Sequence, residues 1–380
     1  MKLLHLADTH LGYSAYRAVT AEGVNQREMD VYASFQQCID YAVQQKPDLV
    51  IHAGDLFDSV RPTNRAISVA VEQLLRLSAA KIPCVVVSGN HETPRLRETG
   101  SIFTVFDHLK GIIPVYKSRY EVVRLNLRGK AVAVHCIPQC LSRDAFEEEM
   151  AAVAPSDDAD VNLCVAHGAV KEIAEFRMNE CNEQYLPVKM LSKRFDYIAL
   201  GHYHKCSRLQ ANAYYVGSTE RLSFAEAMDE KGMLEVNLGK RLTTKFIPLR
   251  TRPMVDAPVI ACEGKSLAEV QESIREVVRS FDPAGKVVRV SLAGVPSQVA
   301  RALDVRGIRE WCRGAVHVEV KLGVEKAVEQ VPLSGPGSSL AVEFERFVQG
   351  QSLVEKEALL SLGLRYLRVA GESAEVEVEA

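Results

Sequence analysis

Side chains that commonly bind metal ions follow five short apolar segments of the sequence, each near a glycine. They are Asp8 and His10, Asp55, Asn90 and His91, His167, and His202 and His204. A set of histidine, aspartate and asparagine ligands without thiolates suits Mn²⁺, Fe²⁺ or Zn²⁺ better than Ca²⁺ or a structural zinc. Because one tetrahedral ion cannot use so many ligands, we expect two ions about 3.5–4 Å apart, with the Asp55 carboxylate as the bridge.

The chemistry that such a pair of ions supports is hydrolysis of phosphate esters. Two divalent cations bind a phosphate, lower the pKa of a water molecule and stabilise the negative charge that develops at phosphorus. Taken singly, any one of these histidines is more often a hydrogen-bonded structural residue than a ligand. That alternative weakens when five separate segments all end in ligand-type residues, and the pattern therefore favours a dinuclear site.

The segments that carry these residues must be strands whose ends meet. Residues 2–7, 49–53 and 82–87 are apolar and predict strands, whereas residues 31–45 and 64–80 have the spacing of helices. This alternation predicts a parallel sheet with right-handed crossovers, and ligands of such sheets bind at the carboxyl ends of the strands. Further strands are predicted at 115–125, 130–137 (after an Arg128-Gly129 turn), 161–166, 197–200, 214–218 and 232–238.

Beyond residue 250 the metal-binding residue types become sparse, and a second unit is predicted. Its pattern is β-α-β-α-β, with elements at 259–262, 267–280, 286–292, 296–311 and 315–321. A segment rich in proline, glycine and serine at 332–339 predicts a flexible linker. Two amphipathic helices are predicted at 340–349 and 354–369, and they either bind a partner or pack back onto the second unit. The apolar residues of the pair are Phe344, Phe347, Leu359, Leu360, Leu364 and Leu367.

Composition limits the class of protein. A chain of 380 residues, 47% hydrophobic and 25% charged, is globular and long enough for more than one domain. No apolar run is long enough to span a membrane, and the N-terminal apolar stretch is too short for a signal peptide. The nine cysteines are odd in number and scattered, which favours reduced thiols and a cytoplasmic location. The net charge of −3 neither requires nor excludes binding to nucleic acid.

The five motifs together resemble those of the calcineurin-like metallophosphoesterase superfamily, and the match spans about residues 1–240. The segments 4–12 and 182–187 are similar to the bacterial SbcD nucleases and their archaeal and eukaryotic double-strand-break repair relatives. The matching motifs are Asp8-Thr9-His10, Gly54-Asp55-Leu56-Phe57-Asp58, Gly89-Asn90-His91-Glu92, Ala166-His167-Gly168 and Gly201-His202-Tyr203-His204.

The resemblance implies an α/β fold: a metallophosphoesterase β-sandwich flanked by helices, with a small α/β cap domain and a C-terminal helical tail. The expected division of the chain is a dinuclear nuclease domain (1–248), a cap for DNA recognition (249–323), a linker (324–339), a helical segment for an ATPase partner (340–370) and an acidic tail (371–380).

The resemblance also implies a role for each residue of the motifs. His91 acts as the acid at the leaving 3′ oxygen, and Glu92 orients it. Archaeal relatives carry a further histidine three residues after the bridging aspartate; here that position is Asp58, which either orients a metal-bound histidine or is a turn carboxylate. One metal ion is held by Asp8, His10, Asp55 and His204, and the other by Asp55, Asn90, His167 and His202.

The implied function is a nuclease subunit with two Mn²⁺ ions (Fe²⁺ or Zn²⁺ as alternatives). It acts on DNA ends as a double-strand 3′–5′ exonuclease and single-strand endonuclease, as a homodimer. The C-terminal helices bind an SMC-like ATPase of the SbcC type. The sequence has no Gly-x-x-x-x-Gly-Lys-Ser/Thr loop of its own, so ATP hydrolysis must come from that partner. The alternatives are a stand-alone phosphodiesterase or phosphatase on nucleotides or phosphoproteins, and a non-catalytic adaptor.

Several residues near the motifs have open roles. His52 is predicted to be structural, because strand alternation turns it towards the same face as Gly54. Tyr13 and Tyr16 either stack on a base or pack against protein. Basic residues that follow the site loops either contact DNA phosphates or are solvated surface charges; they are Arg61, Arg65, Arg95, Arg97, Lys205 and Arg208.

Overall fold

The computed structural model describes residues 1–96, 99–170, 183–324, 340–350 and 356–376. The strands are β1 (Lys2–Leu6), β2 (Leu49–Ala53), β3 (Cys84–Val87), β4 (Ile112–Val115), β5 (Glu121–Leu127), β6 (Lys130–Ile137), β7 (Val161–His167), β8 (Ala169–Val170), β9 (Tyr185–Leu186), β10 (Tyr197–Gly201), β11 (Ser207–Gln210), β12 (Ala213–Tyr215), β13 (Gly232–Leu238), β14 (Leu242–Pro248), β15 (Met254–Asp256), β16 (Ile260–Ala261), β17 (Val287–Val295) and β18 (His317–Val324). The helices are α1 (Gln26–Gln45), α2 (Asn64–Ala79), α3 (Arg143–Ala151), α4 (Leu267–Arg279), α5 (Ser297–Ala302), α6 (Val305–Trp311), α7 (Leu340–Gly350) and α8 (Lys356–Val376).

Two six-stranded sheets pack face to face and form a sandwich. The first has the order β14-β13-β1-β2-β3-β4, in which β1 to β4 are parallel. The second has the order β11-β12-β10-β7-β6-β5, with four parallel strands in its centre. An apolar layer fills the space between the sheets. The predicted α/β class and the sandwich are confirmed.

Helices α1 and α2 cover the outer face of the first sheet. Helix α1 begins at Gln26, before the predicted start at residue 31, because the Asn25 side chain caps the N–H groups of Arg27 and Glu28. That first turn is polar, so apolar periodicity did not reveal it. Thr63 caps α2 in the same manner. The helices bury an apolar stripe against the sheet that includes Val31, Phe35, Ile39, Leu74 and Leu77.

One predicted strand was wrong. Residues 115–125 are the end of β4 and the start of β5, which lie in different sheets. Ser118 has a φ of 52°, which an extended strand cannot contain. The chain therefore turns there and crosses from the first sheet to the second. The predicted Arg128-Gly129 turn does join β5 to β6, with both residues at positive φ.

A smaller sheet follows the sandwich. Strand β17 pairs in parallel with β15, β16 and β18, and helices α4 to α6 pack on a separate apolar core. Strand β15 is too short to be seen in the sequence pattern. The single helix predicted at 296–311 is two helices, because Leu303 is extended and Asp304 caps α6. The exact bounds of a cap domain stay a prediction.

Helices α7 and α8 pack against each other: the ring of Phe344 lies where a side chain at residue 363 would be, and glycine occupies that position. Helix α8 continues to Val376, and it therefore extends into the segment 371–380 that is expected to be an acidic tail. The predicted linker lies outside the described residues from 325 onwards. None of the described helices combines the length and apolar character that crossing a membrane requires.

Candidate metal centre

The site lies where the carboxyl ends of β1, β2, β3, β7 and β10 meet. Four of its residues have a left-handed backbone: Asp8 (φ 50°), His10 (φ 46°), Asp55 (φ 54°) and His202 (φ 100°). This conformation costs a non-glycine residue about 1–2 kcal/mol. Two hydrogen bonds between the loops after β1 and β2 stabilise this backbone conformation. Asp8 N–H donates to the carbonyl of Gly54 and His10 N–H donates to the carbonyl of Asp55, both at 3.0 Å. The strained turns aim the side chains into one space.

Two glycines allow the loops to approach so closely. A Cβ at residue 89 would overlap Oδ1 of Asp55, and a Cβ at residue 54 would overlap the ring of His167. Gly54 also has a φ of 97°, which few other residues adopt. The glycines beside the motifs therefore provide the room in which the ligand side chains meet.

One half of the centre consists of Asp8, His10 and His204, whose donor atoms all lie within 4.8 Å of one another. The Nε2 atoms of His10 and His204 are 3.2 Å apart. Each ring has its Nδ1 3.2 Å from a carboxylate oxygen, of Asp58 for His10 and of Glu226 for His204. A proton on each Nδ1 leaves two unprotonated Nε2 atoms that face each other.

The other half consists of Asp55, His167 and His202, again within 4.8 Å. His167 donates from Nδ1 to the carbonyl of Ala53 at 2.9 Å, so its Nε2 faces Oδ2 of Asp55 at 3.2 Å. The Oδ1 of Asn90 lies 2.9 Å from the same Nε2 and 3.3 Å from Nδ1 of His202. The Nε2 of His202 lies 2.8 Å from Glu183, which leaves its Nδ1 for the centre.

The residues of both halves fit divalent cations. Nitrogen and oxygen donor atoms meet within 4.8 Å in each half, and the buried Oδ2 of Asp55 accepts no hydrogen bond from the described residues. The field there favours positive charge: burial opposes protonation of His167, but the Asp55 carboxylate raises its pKa to about 9. Burial likewise opposes ionisation of Asp55, yet His167 and His10 lower its pKa well below the usual range. Imidazole, carboxylate and amide donors together suit Mn²⁺, Fe²⁺ or Zn²⁺.

His91 lies beside both halves. Its backbone N–H donates to Oδ1 of Asp55 at 3.0 Å, and its Nδ1 is 3.0 Å from the carbonyl of Asp58. The rings of His91 and His10 meet edge to face at 4.6 Å. His91 also forms a group with His10 and Asp55 whose donor atoms lie within 4.8 Å. Distance alone therefore does not separate the predicted acid from the predicted ligands.

The contact predicted between Glu92 and His91 is absent among the described residues. Glu92 is fully buried, and its Oε1 accepts from Gly89 N–H at 2.8 Å. This contact holds the turn that carries Asn90, whereas Nδ1 of His91 already faces the carbonyl of Asp58. Burial, and then the charge of Asp55, raises the pKa of Glu92 to about 8. The side chain of Glu92 therefore supports the loop, and its role in orienting His91 stays a prediction.

The residues with open roles mostly contact protein. His52 is buried, its Nε2 lies 3.1 Å from the Thr9 hydroxyl, and burial lowers its pKa to about 3. Tyr13 donates to the carbonyl of Leu222, and Tyr16 stacks on His317 with the ring centroids 4.0 Å apart.

Two of the basic residues have acidic partners. Arg65 pairs with Glu28 at 3.1 Å, and Lys205 pairs with Asp229 at 3.8 Å. Arg97 lies outside the described residues. Sequence reasoning missed two buried residues at the site, Glu226 and Lys231. Neither belongs to a motif, and no pattern in the sequence singles them out.

Residues 1–206 match the family described as calcineurin-like phosphoesterase, which is more than half of the chain. The chain belongs to the calcineurin-like phosphoesterase family. The predicted family and the predicted enzyme class, a metal-dependent phosphoesterase, are confirmed.

Curated relatives include archaeal proteins named DNA double-strand break repair protein Mre11. The one from Methanococcus maripaludis is 30% identical over 240 residues, covering 61% of this chain and 60% of the relative. The one from Sulfurisphaera tokodaii is 31% identical over 206 residues, covering 53% and 49%. The one from Methanosarcina mazei is 25% identical over 387 residues, covering 98% and 59%. The matches thus span about half to three-fifths of the length of these relatives.

Among solved structures, a dimetal phosphatase from Danio rerio aligns with 64% of this chain and 95% of its own. The identity is 11% and the TM-score is 0.38, which is too low to bear on function.

Proposed function

We propose that this protein is a Mn²⁺-dependent DNA nuclease subunit that acts on DNA ends in repair and recombination. The observation that carries the proposal is the clustering of buried donor atoms at the strand ends: those of Asp8, His10 and His204, and those of Asp55, His167 and His202, lie within 4.8 Å of one another in each group. The relatives' name, double-strand break repair protein, supports DNA as the substrate. Fe²⁺ and Zn²⁺ are the alternative metals for these ligands.

The geometry of the two halves supports the predicted ligand sets. Asp8, His10 and His204 would hold one ion, and Asn90, His167 and His202 would hold the other. Asp55 lies between the halves, with Oδ2 3.2 Å from Nε2 of His167 and 3.8 Å from Nε2 of His10, and its carboxylate is the residue that would be shared by the two ions.

When bound, the two ions supply Lewis acidity to the phosphate and a water molecule of lowered pKa. The chain positions them: anchored histidine rings fix the ligand nitrogens, and the tight loops leave a single orientation for Asp55. His91 protonates or electrostatically steadies the leaving 3′ oxygen. Its Nδ1 lies 3.0 Å from the carbonyl of Asp58, which fixes the orientation of the ring beside the centre.

The remainder of the chain supports a nuclease over a small-molecule phosphatase. The lobe of β15 to β18 lies beside the site loops, as the stacking of Tyr16 on His317 shows. Such a lobe suits recognition of a polymer. We infer that α7 and α8 bind an SMC-like ATPase of the SbcC type, and that the protein works as a homodimer in the cytoplasm.

The test uses the purified full chain, Mn²⁺ and end-labelled linear duplex DNA. Release of mononucleotides from 3′ ends, together with cleavage of circular single-stranded DNA, is the expected result. Asp55→Asn keeps the size of the side chain but removes the bridging charge, and it should abolish both reactions. EDTA should do the same.

A small phosphodiester such as bis-p-nitrophenyl phosphate distinguishes the alternative. Hydrolysis of this ester by a protein that leaves both DNA substrates intact would reject the nuclease and support a stand-alone phosphodiesterase. Two bound Mn²⁺ ions without hydrolysis of any of these substrates would point to the adaptor.

A further inference from the structure

The loop between β12 and β13 contributes one wall of the metal centre through Glu226. Its Oε1 lies 3.2 Å from Nδ1 of His204 and 3.2 Å from the hydroxyl of Ser223. Its Oε2 accepts hydrogen bonds from the Ser218 hydroxyl and the Leu222 N–H, each at 3.3 Å. Donors of its own loop therefore hold the carboxylate in place, with one oxygen directed at the histidine ring.

A buried lysine ties this carboxylate to the backbone of the ligand. Lys231 is only 2% exposed, and its ammonium donates to Oε2 of Glu226 at 2.5 Å, the Ser218 hydroxyl at 2.9 Å and the carbonyl of His204 at 2.8 Å. All three N–H groups of the ammonium are thereby used. A buried charge of this kind needs a counter-charge, which Glu226 supplies. The ring and the backbone of His204 are thus held by one cluster.

The other side of the same loop packs against the lobe of β15 to β18. Phe224, which is 7% exposed, packs against Met254 and Val287. The guanidinium of Arg289 lies 4.4 Å from the centroid of its ring. The loop therefore has apolar contacts with the lobe and ionic contacts with the centre, and Glu226 lies between them.

We propose that Glu226 is a positioning residue for metal binding, which keeps the proton of His204 on Nδ1 and directs its Nε2 at the ion shared with His10. Without an acceptor at Nδ1, the ring can carry its proton on Nε2 or turn away, and either change removes a ligand. The inference rests on the proposed function only in requiring a divalent cation between these two histidines, and it does not depend on DNA as the substrate.

The test compares Glu226→Gln with the wild-type full chain by isothermal titration calorimetry with Mn²⁺ and by EPR of the loaded protein. The amide keeps the shape of the side chain, but it cannot offer an oxygen to both His204 and Lys231. One of the two Mn²⁺ ions should bind about 10–100-fold more weakly, while the other keeps its affinity. The EPR signal of a coupled pair should give way to that of an isolated ion when Mn²⁺ is limiting.

Glu220→Gln is the matched control, because Glu220 is equally buried on the same loop. Its carboxylate accepts from the N–H groups of Arg221 at 2.8 Å and Arg252 at 3.1 Å, at the junction with the second lobe. We expect the control to keep wild-type Mn²⁺ affinity at both sites, whatever its melting temperature. Equal losses of Mn²⁺ affinity in the two variants would show a structural role alone and overturn the proposal.

If Glu226→Gln does not fold, Glu226→Asp carries the test, since it keeps the counter-charge of Lys231 but withdraws the oxygen from His204. Wild-type Mn²⁺ affinity in the folded variant overturns the proposal. A wild-type protein that binds two ions and cleaves no DNA would refute the nuclease but leave this result intact.

Discussion

At the scale of single residues, His91 presents the sharpest question, because it lies near the ligands and is proposed to act on the substrate. In His91→Ala, both Mn²⁺ ions should stay bound, since the two ligand sets do not include this ring. Hydrolysis should fall by about 10²–10⁴-fold, the usual effect of removing a positioned acid. The measurements are calorimetric Mn²⁺ stoichiometry and the initial rate of digestion of labelled duplex DNA.

The result that contradicts this role is loss of one ion in His91→Ala, which would make His91 a ligand, as its proximity to His10 and Asp55 permits. His108→Ala is a suitable control, because His108 ends a 3-10 turn away from the centre.

A second residue-scale prediction concerns acid stability. His5 is fully buried against the Tyr197 hydroxyl, and burial lowers its pKa to about 3. Its folded pKa is depressed below the unfolded value near 6.5, so the unfolded chain binds the proton more tightly. The contribution of neutral His5 to the free energy of unfolding is therefore fully present above pH 6.5 and is lost as the pH drops towards 3. At pH 5 the loss from His5 alone is about 2 kcal/mol.

His5→Phe removes this titration. In EDTA-treated protein, the urea midpoint of the variant should fall less between pH 7 and pH 5 than that of the wild type. The Tyr197→Phe variant removes the hydrogen-bond partner but keeps the histidine, so its pH dependence should follow the wild type. If the urea midpoints of His5→Phe and the wild type fall equally between pH 7 and pH 5, the His5 ring does not take up a proton on unfolding.

The residues that meet at the centre could be predicted from the sequence, but most of the groups that anchor them could not. Ligands occur at strand ends beside glycine, and that pattern is local. Glu226 lies 22 residues from His204 and follows no strand, so only the folded chain brings the two together. The hydrogen bond from Gly89 N–H to Glu92 could not be predicted for a related reason, since neighbours in the chain need not be neighbours at their side-chain tips.

At the scale of elements, the loop after β3 depends on a glycine that has no room for a side chain. Gly89→Ala places a methyl group against Oδ1 of Asp55 and its backbone N–H. Either Asp55 or the turn must move, and we expect Mn²⁺ affinity to drop by more than tenfold. Calorimetry with Mn²⁺ is the measurement. Gly350→Ala is the control, because a Cβ there meets no atom within 4 Å.

Wild-type Mn²⁺ affinity in Gly89→Ala would mean that the turn can shift without moving the carboxylate.

Helices and strands that depend on local sequence patterns could be predicted, whereas those that depend on distant contacts or unusual backbone conformations could not. The buried parallel strands are continuous apolar runs and α1 and α2 have helical spacing, and these elements were placed within about five residues. The crossing at Ser118 and the break at Leu303 depend on backbone conformations that apolar spacing does not report.

At the scale of the whole molecule, ionic contacts join the sandwich to the lobe of β15 to β18. Arg252 forms two bonds to Asp30, at 2.5 and 2.6 Å, and its Nη1 donates to the carbonyl of Gly285 at 2.6 Å. Arg27, fully buried, also reaches Asp30 at 2.6 Å. These buried and partly buried charges therefore join the sandwich to the lobe, beside the apolar contacts of Phe224 with Met254 and Val287. Charges that pair across 222 positions leave no mark in the sequence pattern.

The C-terminal helices carry the last prediction, which concerns the proposed ATPase partner. Apolar side chains remain exposed on the pair, at 54% for Phe347, 50% for Leu362 and 66% for Tyr366. A helix pair with apolar residues in contact with water is typical of a binding surface for a protein partner. Leu362→Arg should abolish co-purification with an SMC-like ATPase of the SbcC type, because it places a charge within the contact.

The same variant should keep Mn²⁺-dependent hydrolysis of a small phosphodiester at the wild-type rate, because the helices lie outside the metal centre. Arg365→Glu is the control, since it changes the charge of an exposed position that already carries one. Unchanged ATPase binding in both variants would place the partner on another surface. Loss of binding only in Leu362→Arg would support a contact that depends on burial of the apolar face. One chain would then combine a metal centre that hydrolyses a small phosphodiester by itself with a separate surface through which a partner directs its activity.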